Sequence, residues 1–130
     1  VDVQPEMVAL LQRSLGQGAA GPIQPSLGAE DDVRLPASSV DLAIMVDVYH
    51  HIADPTVFFG RVRDRLRPGG RLVIVDFKKD APEDAPGPPA AMRIADDLVR
   101  AHLVKLGFVH VRTDQDLLPY QYLVIVQRPA

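Results

Sequence analysis

Apolar and polar positions along the chain switch between a period near two and one near 3.6, and the switches divide it into strands and helices. Val1 to Val3 reads as the end of a strand, and Pro5 then sits at the first turn of a helix on which Val8, Leu11 and Leu15 share one face. A Gly- and Ala-rich loop, Gly16 to Pro22, leads to IQPSLGAEDD, a short strand that empties into an acidic turn. LPASSVD introduces a strand from Asp41 to Val48 whose nearly continuous apolar run predicts a parallel strand covered on both faces. Asp54 is placed to cap the next helix, with Pro55 at its first position and Phe59, Val62 and Leu66 recurring on one side.

Pro68, Gly69 and Gly70 predict a tight turn, and RLVIVDF a second fully buried strand that closes a right-handed strand-helix-strand unit. Lys78 to Pro89 has no periodicity and is rich in proline, which predicts a loop beside the strand ends, where a lid would sit. A last helix over about Met92 to Leu106 puts Ala95, Leu98, Val99, His102, Leu103 and Leu106 on one face, with Gly107 as its C′ residue. His102 is thereby placed in or beside the core. FVHVRTDQDLLPYQYLVIVQR gives two strands joined by a turn around Leu118 to Tyr120, which makes them antiparallel neighbours. The order is that of an α/β fold: a Rossmann-like, doubly wound, mostly parallel sheet with a C-terminal antiparallel hairpin.

Composition narrows the function classes. The 130 residues suit one domain spanning residues 1–130, and 47% hydrophobic with 24% charged residues suffices for a core. A net charge of -3 and a pI near 5.7 supply no field to gather nucleic acid or anionic lipid. Arg61, Arg63, Arg65 and Arg67, spaced by twos on a helix, scatter around it as a solvated face. With no cysteine there is no disulfide, thiol nucleophile or thiolate metal site, which fits a cytoplasmic location. No apolar run approaches the ~20 residues needed to cross a bilayer.

The chemistry gathers in DLAIMVDVYHHIADP, Asp41 to Pro55. A strand there delivers a carboxylate, a phenol and two adjacent imidazoles to its carboxyl end, and in open α/β sheets ligands bind outside those ends.

With EDDVRLPASSVDLAIMVDVYHHI, LRPGGRLVIVDF and the terminal LPYQYLVIV in this order, the chain resembles class I S-adenosylmethionine-dependent methyltransferases over nearly its whole length. The resemblance is nearest to the small-molecule group that includes the ubiquinone and menaquinone C-methyltransferases. It implies S-adenosyl-L-methionine as cofactor, a small-molecule methyl acceptor with oxygen, nitrogen, carbon or an arsenic-like atom as nucleophile, and no metal. Members of this family open their nucleotide site with a G-x-G-x-G turn between a strand and a helix. GQGAAGP follows a helix and is no substitute. The expectation is therefore that the chain is the C-terminal two-thirds of a complete domain, without the first strand and first helices, and that alone it binds the cofactor poorly. An open sheet edge beside Asp41 then invites a second copy, as a homo-oligomer or a swapped dimer.

The resemblance also assigns roles. Asp2, with Val3 beside it, stands at the end of the second family strand, where a carboxylate takes both ribose hydroxyls; the alternative is an N-terminal surface residue. Asp31 matches the position on the adenine amino group, and Asp32 or Glu30 takes that role if two extra residues after Gly28 shift the match; the alternative is an acidic solvated turn. Val46 and Asp47 would run past the methionine part of the cofactor. Tyr49, His50 and His51 are the catalytic candidates, since an imidazole accepts a proton near neutrality. His51 matches the position whose backbone faces the methyl group. The competing reading is that one imidazole packs under the helix. Asp76, Phe77, Lys78 and Lys79 leave the next strand toward the same rim, and Arg93, Tyr120, Gln121 and Tyr122 are candidates for an acceptor pocket or for hairpin packing.

Two other functions stay open. One is a nucleotide-dependent (NAD(P)) oxidoreductase, which also ends its second strand in an acid, although no Tyr-x-x-x-Lys pair is present. The other is a non-catalytic interaction module whose sheet pairs with another chain.

Overall fold

Asp54 begins the central unit of the fold: its Oδ1 accepts the N–H of Val57 at 3.0 Å, and Pro55 fills the first helical position, where no N–H is needed. The computed structural model describes residues 1–16 and 22–130. Its elements are α1 (Pro5–Leu15), β1 (Val40–Val46), α2 (Pro55–Arg65), β2 (Leu66–Phe77), α3 (Asp96–Lys105), β3 (Val109–Asp114) and β4 (Gln121–Gln127), with 3-10 turns at Tyr49–His51 and Ala90–Met92. The Gly16 to Pro22 loop lies outside the described residues for positions 17–21.

The sheet order is β1-β2-β4-β3, with β1 parallel to β2 and both pairings of β4 antiparallel. The two N-terminal stretches read as strands meet only in a single parallel bridge, Asp2 to Leu27. Pro68 to Gly70 does not separate α2 from a strand. β2 begins at Leu66 directly after the helix, and the turn becomes a bulge within it: Leu66 pairs with Val40, and Arg71 with Leu42. Gly69 has φ of 80°, and a Cβ on Gly70 would lie 2.9 Å from the Arg67 carbonyl oxygen, so both glycines are required by the bulge.

One sheet face carries the core. Phe59 and Val62 of α2 and Val99 and Leu103 of α3 pack with Leu72, Ile74, Tyr122, Val124 and Val126, against which Ala43 and Met45 are half-buried. The expectation that β1 is covered on both faces fails: Leu42, Ile44 and Val46 are 51%, 60% and 53% exposed. Strand side chains alternate, and the α2 and α3 layer receives only the Ala43 and Met45 side of β1. α3 is shorter than its apolar pattern, beginning at Asp96, and Leu98 is exposed, while Gly107 closes the helix at φ of 87°.

The arginines of α2 are more committed than a solvated face requires. Arg61 pairs with Asp31 and Arg65 with Asp32. They tie the acidic turn to the helix.

Candidate active site

At the end of β1 the chain turns sharply. Asp47 takes φ of 56°, its N–H donates to the Val75 carbonyl at 2.9 Å, and its Oδ1 accepts from Gln121 Nε2 at 2.7 Å. Tyr49, His50 and His51 follow in a 3-10 turn, where consecutive side chains diverge by about 120°. Each therefore enters a different environment.

Tyr49 turns into the core. It is 5% exposed, stacks on Phe59 at 5.1 Å between ring centroids, and its hydroxyl lies 2.9 Å from His102 Nδ1. Burial, and then the nearby Asp76 carboxylate, push its phenol above the ordinary range. Tyr49 lines neither cavity at the strand ends; the turn geometry points the phenol into the core. His102 is held between Tyr49 and Thr56 Oγ1, the latter at 3.2 Å from Nε2.

His50 turns toward β2. Its Nδ1 lies 2.9 and 3.1 Å from the two oxygens of Asp76, and its backbone N–H donates to Oδ2 of the same carboxylate at 3.2 Å. The two side chains are 3% and 1% exposed. His51 points outward, with its ring centroid 4.1 Å from that of His50.

Two cavities flank this turn. A trough of about 750 Å³ runs along the exposed side of β1, lined by Asp2, Val3, Glu30, Val46 and His51 among mostly apolar neighbours. A smaller one, about 450 Å³, lies over the ends of β1 and β2 and is bounded by Asp47, His50, His51, Phe77, Met92 and the Gly87–Pro89 segment. His51 belongs to both walls.

The trough contains Asp2, Val3 and Val46, while Asp47 faces the smaller cavity. Asp2 spends Oδ1 on the Gln4 N–H at 2.8 Å. Asp31 and Asp32 are not in the trough wall. Asp31 is paired with Arg61, and Asp32 accepts the Arg34 N–H at 2.9 Å and Arg65 at 3.0 Å, contacts that hold its carboxyl below the ordinary range, the backbone hydrogen bond first. Glu30 is the member of the acidic turn that lines the trough.

The proline-rich loop closes one side of the smaller cavity and is pinned. Arg93, 2% exposed, donates to the carbonyls of Ala81, Pro82 and Pro88, and Lys79 to those of Ala90 and Arg93. Gly87 has φ of 118°, and a Cβ there would lie 2.4 Å from the Phe77 ring. Arg93 is thus a clamp on the loop; Tyr122 is buried with its hydroxyl on the Ile94 carbonyl, and Gln121 supports Asp47.

Asp76 is the residue whose role the chain pattern undersold. It occupies the buried face of β2 with Leu72 and Ile74, and a carboxylate at such a position requires a partner. That demand was the available signal for its pairing with His50.

Sequences described as a methyltransferase domain match residues 1–74. Uncharacterized methyltransferases of Mycobacterium bovis and Mycobacterium tuberculosis are 35% identical over 80 residues, 62% of this chain and 30% of theirs. The chain therefore spans about a third of the length of these relatives. Among solved structures, a SAM-dependent methyltransferase from Aquifex aeolicus superposes with a TM-score of 0.86 at 24% identity, covering 97% of this chain and 65% of the other. One from Methanosarcina mazei gives 0.78 at 16% identity, over 98% and 80%. At these identities the two structures establish the likeness of fold.

Proposed function

Since the chain belongs to the methyltransferase domain family, matched over residues 1–74, we propose that it serves S-adenosylmethionine-dependent methyl transfer to a small-molecule acceptor. The observation that carries the reading is the pair of cavities meeting at His51. A donor and an acceptor must approach from opposite sides of one reacting carbon, and adjoining cavities with a shared wall allow that.

The trough residues fit the cofactor. Asp2 keeps Oδ2 free for ribose hydroxyls, Glu30 offers a carboxylate to an adenine amino group, and Val3 and Val46 supply apolar contact. The cofactor, when bound, supplies an electrophilic methyl group on a sulfonium. The chain's own part is to orient both molecules and to receive a proton where the acceptor carries one. In this reading the acceptor enters the smaller cavity, beside His50 and His51. Its apolar wall suits an aromatic or quinone-type acceptor. A cytoplasmic location accords with the described residues, among which no helix is long and apolar enough to cross a membrane.

The unpaired backbone edge of β1 favours a second copy of the chain as a protein partner. The oxidoreductase and the non-catalytic module are not favoured.

Calorimetry with S-adenosylhomocysteine and with NAD on the intact protein tests the function. Heat of binding for the first and none for the second is expected. Binding of NAD alone would replace this reading with an oxidoreductase.

A further inference from the structure

Asp76 is a buried carboxylate with an unusual set of neighbours. Its oxygens receive the Phe77 N–H at 2.8 Å, the His50 N–H and the His50 ring Nδ1. No lysine or arginine among the described residues reaches it, although Lys78 and Lys79 follow closely in the chain and Arg93 is itself buried. Lys78 Nζ is turned to the carbonyls of Leu118 and Pro119, Lys79 to those of Ala90 and Arg93, and Arg93 to the proline-rich loop. His50 is therefore the one ionisable donor to this carboxylate.

A carboxylate accepts and does not donate, so Nδ1 carries the proton toward Asp76, and in the neutral imidazole Nε2 presents its lone pair. Nε2 makes no hydrogen bond to the described residues, and it is not among the buried polar atoms left without a partner. It is the ring atom left for whatever enters the smaller cavity that His50 lines. The charged or titratable side chains facing the imidazole are Asp76, His51 and Asp47. The same cavity has Phe77, Met92, Pro88 and Pro89 on its wall and no free cation, because the nearby ones are spent on carbonyls. It suits a flat, neutral, apolar molecule and offers no arm to a phosphate or carboxylate.

We propose that Asp76 is a positioning residue that fixes His50 as general base for an acceptor bearing an acidic hydroxyl on an aromatic or quinol ring. The proposal rests on the methyltransferase reading above. In the step, the hydroxyl proton passes to Nε2 of His50 while an oxygen lone pair forms the bond to the methyl carbon. The electron pair of the breaking carbon–sulfur bond stays on sulfur, which becomes a neutral thioether. Imidazolium formed on His50 is stabilised by Asp76 and returns its proton to solvent after the methylated product leaves.

The test has three measurements on the intact protein. Nitrogen-15 spectra of the His50 ring report its tautomer without any substitution, and protonated Nδ1 with bare Nε2 is expected. A ring protonated at Nε2 would overturn the proposal. Para-nitrophenol, whose absorbance distinguishes phenol from phenolate, is then titrated into the protein. The bound probe is expected as phenolate, and His50→Gln is expected to weaken that binding at least tenfold. Asp76→Asn should do the same and move His50 out of its tautomer, with Asp76→Glu restoring both in part. Equal ionisation of the probe in wild type and His50→Gln would sink the idea, whatever Asp76→Asn does to folding. Binding of S-adenosylhomocysteine, followed separately, should be unchanged in His50→Gln. Its absence in wild type would count against the methyltransferase reading, while the tautomer and the phenol would still decide the His50 and Asp76 pair.

Discussion

Asp47 holds a left-handed backbone, φ of 56°, while its Oδ1 accepts from Gln121 Nε2 at 2.7 Å, so the end of β1 is tied across β2 to the start of β4. The turn that aims the two histidines depends on that tie. Asparagine tolerates this conformation and keeps an acceptor oxygen, whereas alanine does neither. Asp47→Asn should cost under about 0.5 kcal/mol and Asp47→Ala about 1–3 kcal/mol, from backbone strain and an unpaired amide. Urea unfolding of the two variants checks the difference.

His102 predicts a pH dependence of stability unrelated to chemistry. Burial, with Lys105 second, lowers its pKa below the ordinary 6.5. The unfolded chain therefore binds more protons in the window below 6.5, and stability should fall as pH drops from 6.5 toward the folded value, then level off with respect to this group. Protonation also makes both ring nitrogens donors, toward the Tyr49 and Thr56 hydroxyls. Thermal melts between pH 7 and 5 should show the slope in wild type and lose it in His102→Gln.

Tyr49→Phe removes one buried hydrogen bond and keeps the stack on Phe59. About 1 kcal/mol of stability should be lost, and S-adenosylhomocysteine binding should be unchanged. A lost binding site with an intact melt would return Tyr49 to the site.

The acidic turn and Asp2 can be parsed by three alanine substitutions with S-adenosylhomocysteine as probe. Glu30→Ala and Asp2→Ala should each weaken binding by about 1.5–3 kcal/mol, the worth of hydrogen bonds to a charged group. Asp31→Ala, which breaks a surface pair with Arg61, should change affinity and stability by no more than about 1 kcal/mol. The reverse order would put adenine on Asp31.

Gly87→Ala should disturb the acceptor side alone. Its φ of 118° and the Phe77 ring 2.4 Å from a Cβ leave no room, so the loop must shift at a cost of about 1–3 kcal/mol. Para-nitrophenol binding should weaken while S-adenosylhomocysteine binding persists.

The unpaired edge of β1 should make the chain associate with itself. Ile44→Lys places a charge on that edge strand and should shift sedimentation at micromolar concentration toward monomer. Wild type that is already monomeric there would remove the second copy as a partner.

The local elements were legible in the chain, because the forces that set them act over a few residues. Asp54 and Pro55 start α2, Gly107 ends α3, and the alternation in YLVIV makes β4, each by capping, backbone freedom or side-chain period. The chain pattern also placed titratable residues at the end of β1. Tertiary structure decided which way they face. Three consecutive residues of a 3-10 turn diverge, and which of Tyr49, His50 and His51 meets the core, Asp76 or the cavities depends on β2 and α3, residues 26 to 53 positions away. The same holds for the acidic turn, where Arg61 and Arg65 of α2 draw off Asp31 and Asp32 and leave Glu30 to the trough. Pairing over such separations leaves no periodic mark in the chain. Its only trace is a carboxylate on the buried face of RLVIVDF that has to find a donor.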